Sequence, residues 1–214
     1  MTIGSAFAGD DGIFTVSIPV QKAGTQLVVT ATDKDVNVSE ENNIVVSKAK
    51  AKLSGWVQEN GNWYFYDKSN GQKKTSWYLD GATWYYLDDT GAMKTGWLKD
   101  GSTWYFLNNT GGMKTGWLKE GNTWYFLNNS GAMKTGWLKD GNAWYFLNSS
   151  GAKKTGWLKD GSSWYFLTTS GAMKTGWLLS GSTWYFLTTS GAMQIGWAQI
   201  SGKWYYFNQS GTLE

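Results

Sequence analysis

The chain has 214 residues, a net charge of +3, and an aromatic share of 17% built from 16 Trp, 12 Tyr and 9 Phe. It contains no Cys, His or Arg, which excludes disulfides and thiolate metal sites and removes the commonest general base and imidazole ligand near neutral pH. The lysines are scattered singly rather than in a stripe, which argues against nucleic acid as a partner despite the many rings available for stacking.

No apolar run approaches the length of a membrane span. The N-terminus, MTIGSAFAGDD, lacks the charged and apolar regions of a signal peptide, so an export address would lie upstream. Residues 1–48 read as strands: GIFTVSIPV (12–20), TQLVVTATD (25–33) and a weaker VNVSEENNIVVS (36–47). The first two alternate apolar and polar residues around a turn-like QKAG. This pattern resembles the C-terminal half of a bacterial immunoglobulin-like domain and implies a small β-sandwich fragment serving as a spacer or adhesion module. Asp33, Asp35 and Asn37 alternate like the start of a calcium loop, but Val38 and Ile44 stand where such a loop needs Gly and Glu, and a polar turn is the simpler reading.

A short lysine-alanine linker (49–54) leads into residues 55–214. There tryptophans fall in pairs seven apart, from Trp56/Trp63 to Trp197/Trp204, and the pairs recur every twenty residues after one step of twenty-one. This period marks a solenoid of eight units, each burying its faces against its neighbours. In the unit TGWLKDGSTWYFLNNTGGMK (95–114), Asp-Gly between apolar runs predicts a hairpin with Asp100-Gly101 as a type I′ turn. Lys99 then faces Ser102, and Trp97 faces Trp104. Alternation places Phe106 with the tryptophans and Leu98, Tyr105 and Leu107 on the opposite face. Leu98 and Leu107 are core candidates. In the first and last units the glycine comes one residue later, at Gly61 and Gly202, so these read as atypical caps with different loops. The expected fold is all-β: a solenoid of stacked β-hairpins with the small sandwich fragment before it.

A core that needed only volume would accept Leu or Ile at some tryptophan positions, and none does. Flat, electron-rich faces attract poorly hydrated cations, above all quaternary ammonium. The repeats GWLKDGSTWYFLNNTGGMKTGW strongly resemble the cell-wall-binding repeats of the choline-binding protein family. The resemblance implies cages that hold choline of teichoic or lipoteichoic acid between consecutive hairpins. Trp97 and Trp104 form two walls, Tyr125 of the next unit the third, and Met113 on the connecting turn lies nearby. Phe126, on the opposite side of the strand from Tyr125, is the alternative third ring.

The same logic assigns Trp77, Trp84, Tyr105 and Met93, then Trp117, Trp124, Tyr145 and Met133, then Trp137, Trp144 and Tyr165. It continues with Trp157, Trp164, Tyr185 and Met173, and with Trp177, Trp184, Tyr205 and Met193. Lys73 and Lys153 replace Met in two connectors and would weaken the sites beside them. Leu213 stands at the last Met position, and Trp197/Trp204 have no following hairpin. About five good sites are expected. The family resemblance also implies a secreted or cell-surface protein held on the cell wall, and it admits a homodimer through terminal hairpins.

Very similar repeats occur in glucan-binding regions and toxin receptor-binding ends, so sugars stacked on the Trp pairs are the alternative ligand. No enzyme is expected: Asp100, Glu120, Asp140 and Asp160 recur as hairpin-turn residues, and no nucleophile–base pair can be assembled without His or Cys. No cofactor is expected. Lys94, Lys114, Lys134 and Lys174 read as solvated connector residues, with contact to teichoic acid phosphates the alternative.

Overall fold

The structure is a computed structural model that describes residues 2–9, 13–47 and 52–214. The chain divides into two compact units, Met1–Ser54 with Lys68–Gly71, and Gly55–Asp67 with Gln72–Glu214. Residues 49–51 of the expected linker, and Gly12 at the start of the first expected strand, lie outside the described residues.

In the first unit β1 (Gln26–Val29) pairs antiparallel with β2 (Asn42–Val45), with Leu27 opposite Ile44. These strands fall within the second and third sequence-predicted ones. Residues 14–20 are not in a strand, so the strands among the described residues of this unit are the two of one ribbon. Val28, Ile44 and Val45 are exposed, because alternation buries a face only where a second layer covers it. Around Asp33, one carboxylate oxygen accepts from the Asp35 and Asn37 amides and the other from the Asn37 side chain, all at 2.9 Å. The Asp33 carboxylate closes a polar turn, and the bond from the Asn37 side chain is the first cause holding its pKa below the usual value.

The second unit is a row of eight two-stranded antiparallel hairpins among the described residues. They pair β3 (Gly55–Glu59) with β4 (Asn62–Tyr66), β5 (Ser76–Asp80) with β6 (Thr83–Leu87), and β7 (Gly96–Asp100) with β8 (Thr103–Leu107). The row continues with β9 (Gly116–Glu120) and β10 (Thr123–Leu127), β11 (Gly136–Asp140) and β12 (Ala143–Leu147), and β13 (Gly156–Asp160) and β14 (Ser163–Leu167). It ends with β15 (Gly176–Ser180) and β16 (Thr183–Leu187), then β17 (Gly196–Ile200) and β18 (Lys203–Phe207).

The register differs from the predicted one by a shift of the turn. Asp100 pairs with Thr103, Lys99 with Trp104, Leu98 with Tyr105 and Trp97 with Phe106. The loop is therefore Gly101-Ser102, and of these two only Gly101 has positive φ, at 58°. Glycine at the first central position is the type II′ pattern, which Asp-Gly-Ser satisfies as readily as the type I′ reading of Asp-Gly. Trp97 and Trp104 still share a face with Phe106, but diagonally rather than directly across. The terminal hairpins keep the same loop length and change turn type: Asn60 (49°) and Gly61 (83°), like Ser201 (48°) and Gly202 (83°), both have positive φ, as type I′ requires.

Each hairpin contributes one side chain to a buried line. Leu87, Leu107, Leu127, Leu147, Leu167 and Leu187 are fully buried, Phe207 ends the line, and Tyr66 stands at its start. Burying a leucine this completely is worth roughly 1.5–3 kcal/mol, repeated once per unit. Leu98 is only half-buried, although its counterparts Leu118 and Leu138 are buried.

Side-chain turns shape the connectors. The Asn108 side-chain carbonyl accepts from the Thr110 amide at 2.9 Å, the Thr110 hydroxyl at 2.7 Å and the Gly112 amide at 2.9 Å. This fits the turn chemistry of Asn followed by small residues. The connector then reaches back along the row, where the Met113 amide donates to the Trp84 carbonyl of the preceding hairpin at 2.8 Å. That bond fixes which residues meet between hairpins.

Candidate functional site

The Trp97 ring centroid lies 6.3 Å from that of Trp104, with the planes at 85°, and 4.8 Å from Tyr125 of the next hairpin, with the planes at 68°. Three rings from two hairpins thus converge. Tyr125 is the third ring, and Phe126 pairs with Trp117 inside its own hairpin at 5.2 Å. The arrangement recurs: Trp77 is 4.8 Å from Tyr105, Trp117 5.0 Å from Tyr145, Trp137 4.9 Å from Tyr165, Trp157 4.8 Å from Tyr185 and Trp177 4.9 Å from Tyr205. Trp84, Trp124, Trp144, Trp164 and Trp184 stand at 6.1–6.5 Å from their partners Trp77, Trp117, Trp137, Trp157 and Trp177.

The methionines join a different pair from the one expected. Met113 donates its amide to Trp84 and Met133 to Trp104, while Met93 donates to Trp63, Met173 to Trp144 and Met193 to Trp164. The connector that meets each Trp pair is therefore the one after the next hairpin, so Met133 and not Met113 stands beside the Trp97/Trp104/Tyr125 rings. A cavity of about 340 Å³ lined by Trp157, Trp164, Tyr185, Met193, Gln209 and Ser210 shows the assembled set. Five Trp pairs, counting Trp56/Trp63, meet a methionine connector by this rule. The Trp177/Trp184/Tyr205 cage has Leu213, whose amide donates to Trp184 at 3.0 Å.

Lysine positions shift with the same rule. Lys153 belongs to the Trp117/Trp124/Tyr145 cage, since its amide donates to Trp124, and not to the cage of Trp137 and Trp144. Lys73 turns onto the first hairpin itself, 3.3 Å from the Tyr64 ring centroid and 3.0 Å from Glu59. Trp197 and Trp204 are 67% and 63% exposed, against 40% for Trp104, consistent with a pair that no later ring covers.

Two groups of residues were missed. The first pair shares part of the arrangement: Trp56 lies 4.8 Å from Tyr85 and the Met93 amide donates to the Trp63 carbonyl, but Trp56 packs on Phe65 and Tyr78 rather than on Trp63. The signal was present in the Trp56/Trp63 spacing, behind the one-residue insertion. The second group is the acidic residues read as turn formers. Trp56 Nε1 donates to Asp80, Trp77 to Asp100, Trp117 to Asp140 and Trp137 to Asp160, at 2.8–2.9 Å. Each aspartate ends a first strand and accepts from the indole of the hairpin before it, which orients that ring. Among the described residues Trp97, Trp157 and Trp177 lack this bond, where Glu120, Ser180 and Ile200 take the acidic place.

Of the connector lysines, Lys94 is exposed, and Lys114, Lys134 and Lys174 are partly exposed. Among the described residues no three His, Cys, Asp or Glu side chains cluster in a way that could hold a metal ion. No described helix is long and apolar enough to cross a membrane.

The family model of the choline-binding repeat matches residues 74–115, 95–135, 114–155 and 134–176. That of the putative cell wall binding repeat matches 54–73, 175–193 and 195–213. A structure of CbpJ from Streptococcus pneumoniae TIGR4 is 38% identical, with a TM-score of 0.72, over 91% of this chain and 72% of that one. The chain belongs to the choline-binding protein family. Choline binding protein F from Streptococcus pneumoniae, solved in the presence of a peptidoglycan analogue, is 33% identical with a TM-score of 0.69, over 96% of this chain and 74% of that one. The choline-binding domain of CbpL from the same species is 31% identical, with a TM-score of 0.60, over 76% of this chain and 87% of that one. Residues 1–48 match the bacterial Ig domain model. No curated protein sequence matches the chain. The stacked hairpins of this chain are thus those of a choline-binding repeat module.

Proposed function

We propose that this choline-binding module attaches its protein to the cell wall without catalysis, taking choline or phosphocholine groups of teichoic and lipoteichoic acids into its aromatic cages. The observation that carries this reading is the convergence of Trp97, Trp104 and Tyr125 at 4.8–6.3 Å with the Met133 connector beside them. A trimethylammonium spreads its charge over methyl groups that lose water cheaply and pack against ring faces, so it needs no buried carboxylate. At about 0.5–2 kcal/mol per ring contact, one cage would hold free choline at roughly millimolar Kd. Cages repeated along one solenoid would grip a multiply decorated polymer far more strongly, through effective concentration. The relative choline binding protein F has been solved both with soaked ipratropium and in the presence of a peptidoglycan analogue. Such a module works at the cell surface, after export.

A glycan reading has one observation in its favour: Gln209 and Ser210 line the cavity beside Trp157, Trp164 and Tyr185, and sugars need hydrogen-bonding neighbours. Titration by tryptophan fluorescence with choline, ethanolamine and an isomalto-oligosaccharide separates the two. Saturation by choline alone supports methylated ammonium cages. A response to the oligosaccharide without one to choline would turn the Trp pairs into sugar-stacking platforms.

A further inference from the structure

Lys153 occupies a position that methionine holds in five other connectors. Its amide donates to the Trp124 carbonyl at 2.8 Å, as the Met133 amide does to Trp104, so its side chain enters beside the rings of the Trp117/Trp124/Tyr145 cage. The ammonium folds back over the rings. Its Nζ lies 5.4 Å from the Trp117 ring centroid and 5.3 Å from that of Trp124, and it donates to the Ser170 carbonyl at 2.7 Å. Both ring distances fall inside the range of cation–π attraction. Among the described residues Lys153 makes no ion pair, so no carboxylate accounts for its position.

We propose that Lys153 is the resident cation of this cage: its tethered ammonium takes the place between Trp117 and Trp124 that a free quaternary ammonium takes in the neighbouring cages. The second half of this statement rests on the proposed function. The cage itself is intact, with Tyr145 5.0 Å from Trp117 and Asp140 accepting from the Trp117 indole at 2.8 Å. Only the Met position is changed. A tether of this length supplies an effective concentration on the order of millimolar or above, comparable with the dissociation constant expected of one cage, and a second cation would also meet like-charge repulsion. Burial lowers the Lys153 pKa, the mark of an ammonium partly withdrawn from water. The two indole faces and the Ser170 carbonyl offset that cost.

Lys73 gives independent support for the tendency. At the equivalent connector position it too settles on a ring, 3.3 Å from the centroid of Tyr64, the residue that corresponds to the third cage ring in later hairpins. There the carboxylate of Glu59 shares it. In consequence the ligand-accepting row is interrupted between the Trp97 and Trp137 cages, and a polymer must bridge a closed position to engage both sides.

Two measurements on the full chain test this. In the ligand-free protein, NMR of the lysine side chains is expected to show one Hε pair moved upfield by ring currents, assigned to Lys153 by its loss in K153M, and unmoved by choline. Calorimetric titration is expected to show one more choline bound per chain in K153M than in the wild type. Methionine at five equivalent positions makes K153M a substitution that the fold accommodates. Lys153 Hε resonances among those of solvated lysines would overturn the proposal, as would an unchanged choline stoichiometry in K153M. If the upfield pair is present but neither protein binds choline, the lysine's seat in the cage stands and the quaternary-ammonium reading of the other cages falls.

Discussion

Trp97 and Tyr125 belong to successive hairpins, and their ring centroids lie 4.8 Å apart with the planes at 68°. No single unit can therefore build a cage. Tyr125→Ala removes the third wall from the Trp97/Trp104 site and leaves the pairs on either side untouched. Losing one ring contact is expected to weaken that site by roughly 2- to 30-fold, from about 0.5–2 kcal/mol. Calorimetry should show one site weakened by that factor while the others keep their affinity. A uniform weakening of all sites would contradict the assignment of Tyr125 to one cage.

The bond from Trp77 Nε1 to Asp100 at 2.9 Å predicts a ring-positioning role for the aspartate. Asp100→Ala is expected to cost about 0.5–1.5 kcal/mol of local stability and to loosen the Trp77 indole. The Trp77 indole N–H resonance should then exchange with water as fast as that of Trp97, which lacks an aspartate partner. If Trp77 remains as protected as in the wild type, the bond does not hold the ring.

Much of this site could be read from the sequence, and the errors have local causes. The period, the number of units and the two faces of each hairpin follow from alternation and from glycine placement, which act over a few residues. The turn moved by one residue because Asp100-Gly101 and Gly101-Ser102 are both hairpin dipeptides, and only backbone φ decides between them. The methionine partners were misassigned because Met113 meets Trp84 through a connector that folds back across a hairpin, a contact no local pattern encodes. The same distance in sequence hid Asp100 as the partner of Trp77. In the first unit, residues 14–20 alternate like a strand but lie in none, since alternation reports a preference that pairing must still fulfil.

Gly131 has φ of 80°, and a Cβ there would collide with the Sδ of Met113. The thioether lies directly on the backbone of the next connector. Gly131→Ala is expected to destabilise by about 1–2 kcal/mol from backbone conformation alone, and more from the displaced methionine. Thermal unfolding should shift down. An unchanged transition would mean that the connector moves aside freely.

Asp88 is the acidic counterpart of Asn108, and its carboxylate accepts from the Thr90 hydroxyl at 2.6 Å and from the Thr90 and Ala92 amides at 3.0 Å. The Thr90 side-chain bond is the largest cause holding its pKa below the ordinary 3.8, against burial, which raises it. A carboxyl lowered on folding contributes stability that is fully present above its unfolded value and is lost as pH falls through the folded one. Asp88→Asn should therefore lower the melting temperature near neutral pH, and the gap to the wild type should close below about pH 3.8. A gap that stays constant with pH would show that the charge contributes nothing.

The measurement that tests the central claim most directly is a crystal structure of the full chain with saturating choline. The cage account predicts trimethylammonium density enclosed by Trp97, Trp104 and Tyr125 next to Met133, and again in the other cages that meet a methionine connector. It predicts none between Trp117 and Trp124, where Lys153 sits. Empty cages at saturation, or choline bound only on surfaces away from the Trp pairs, would contradict it.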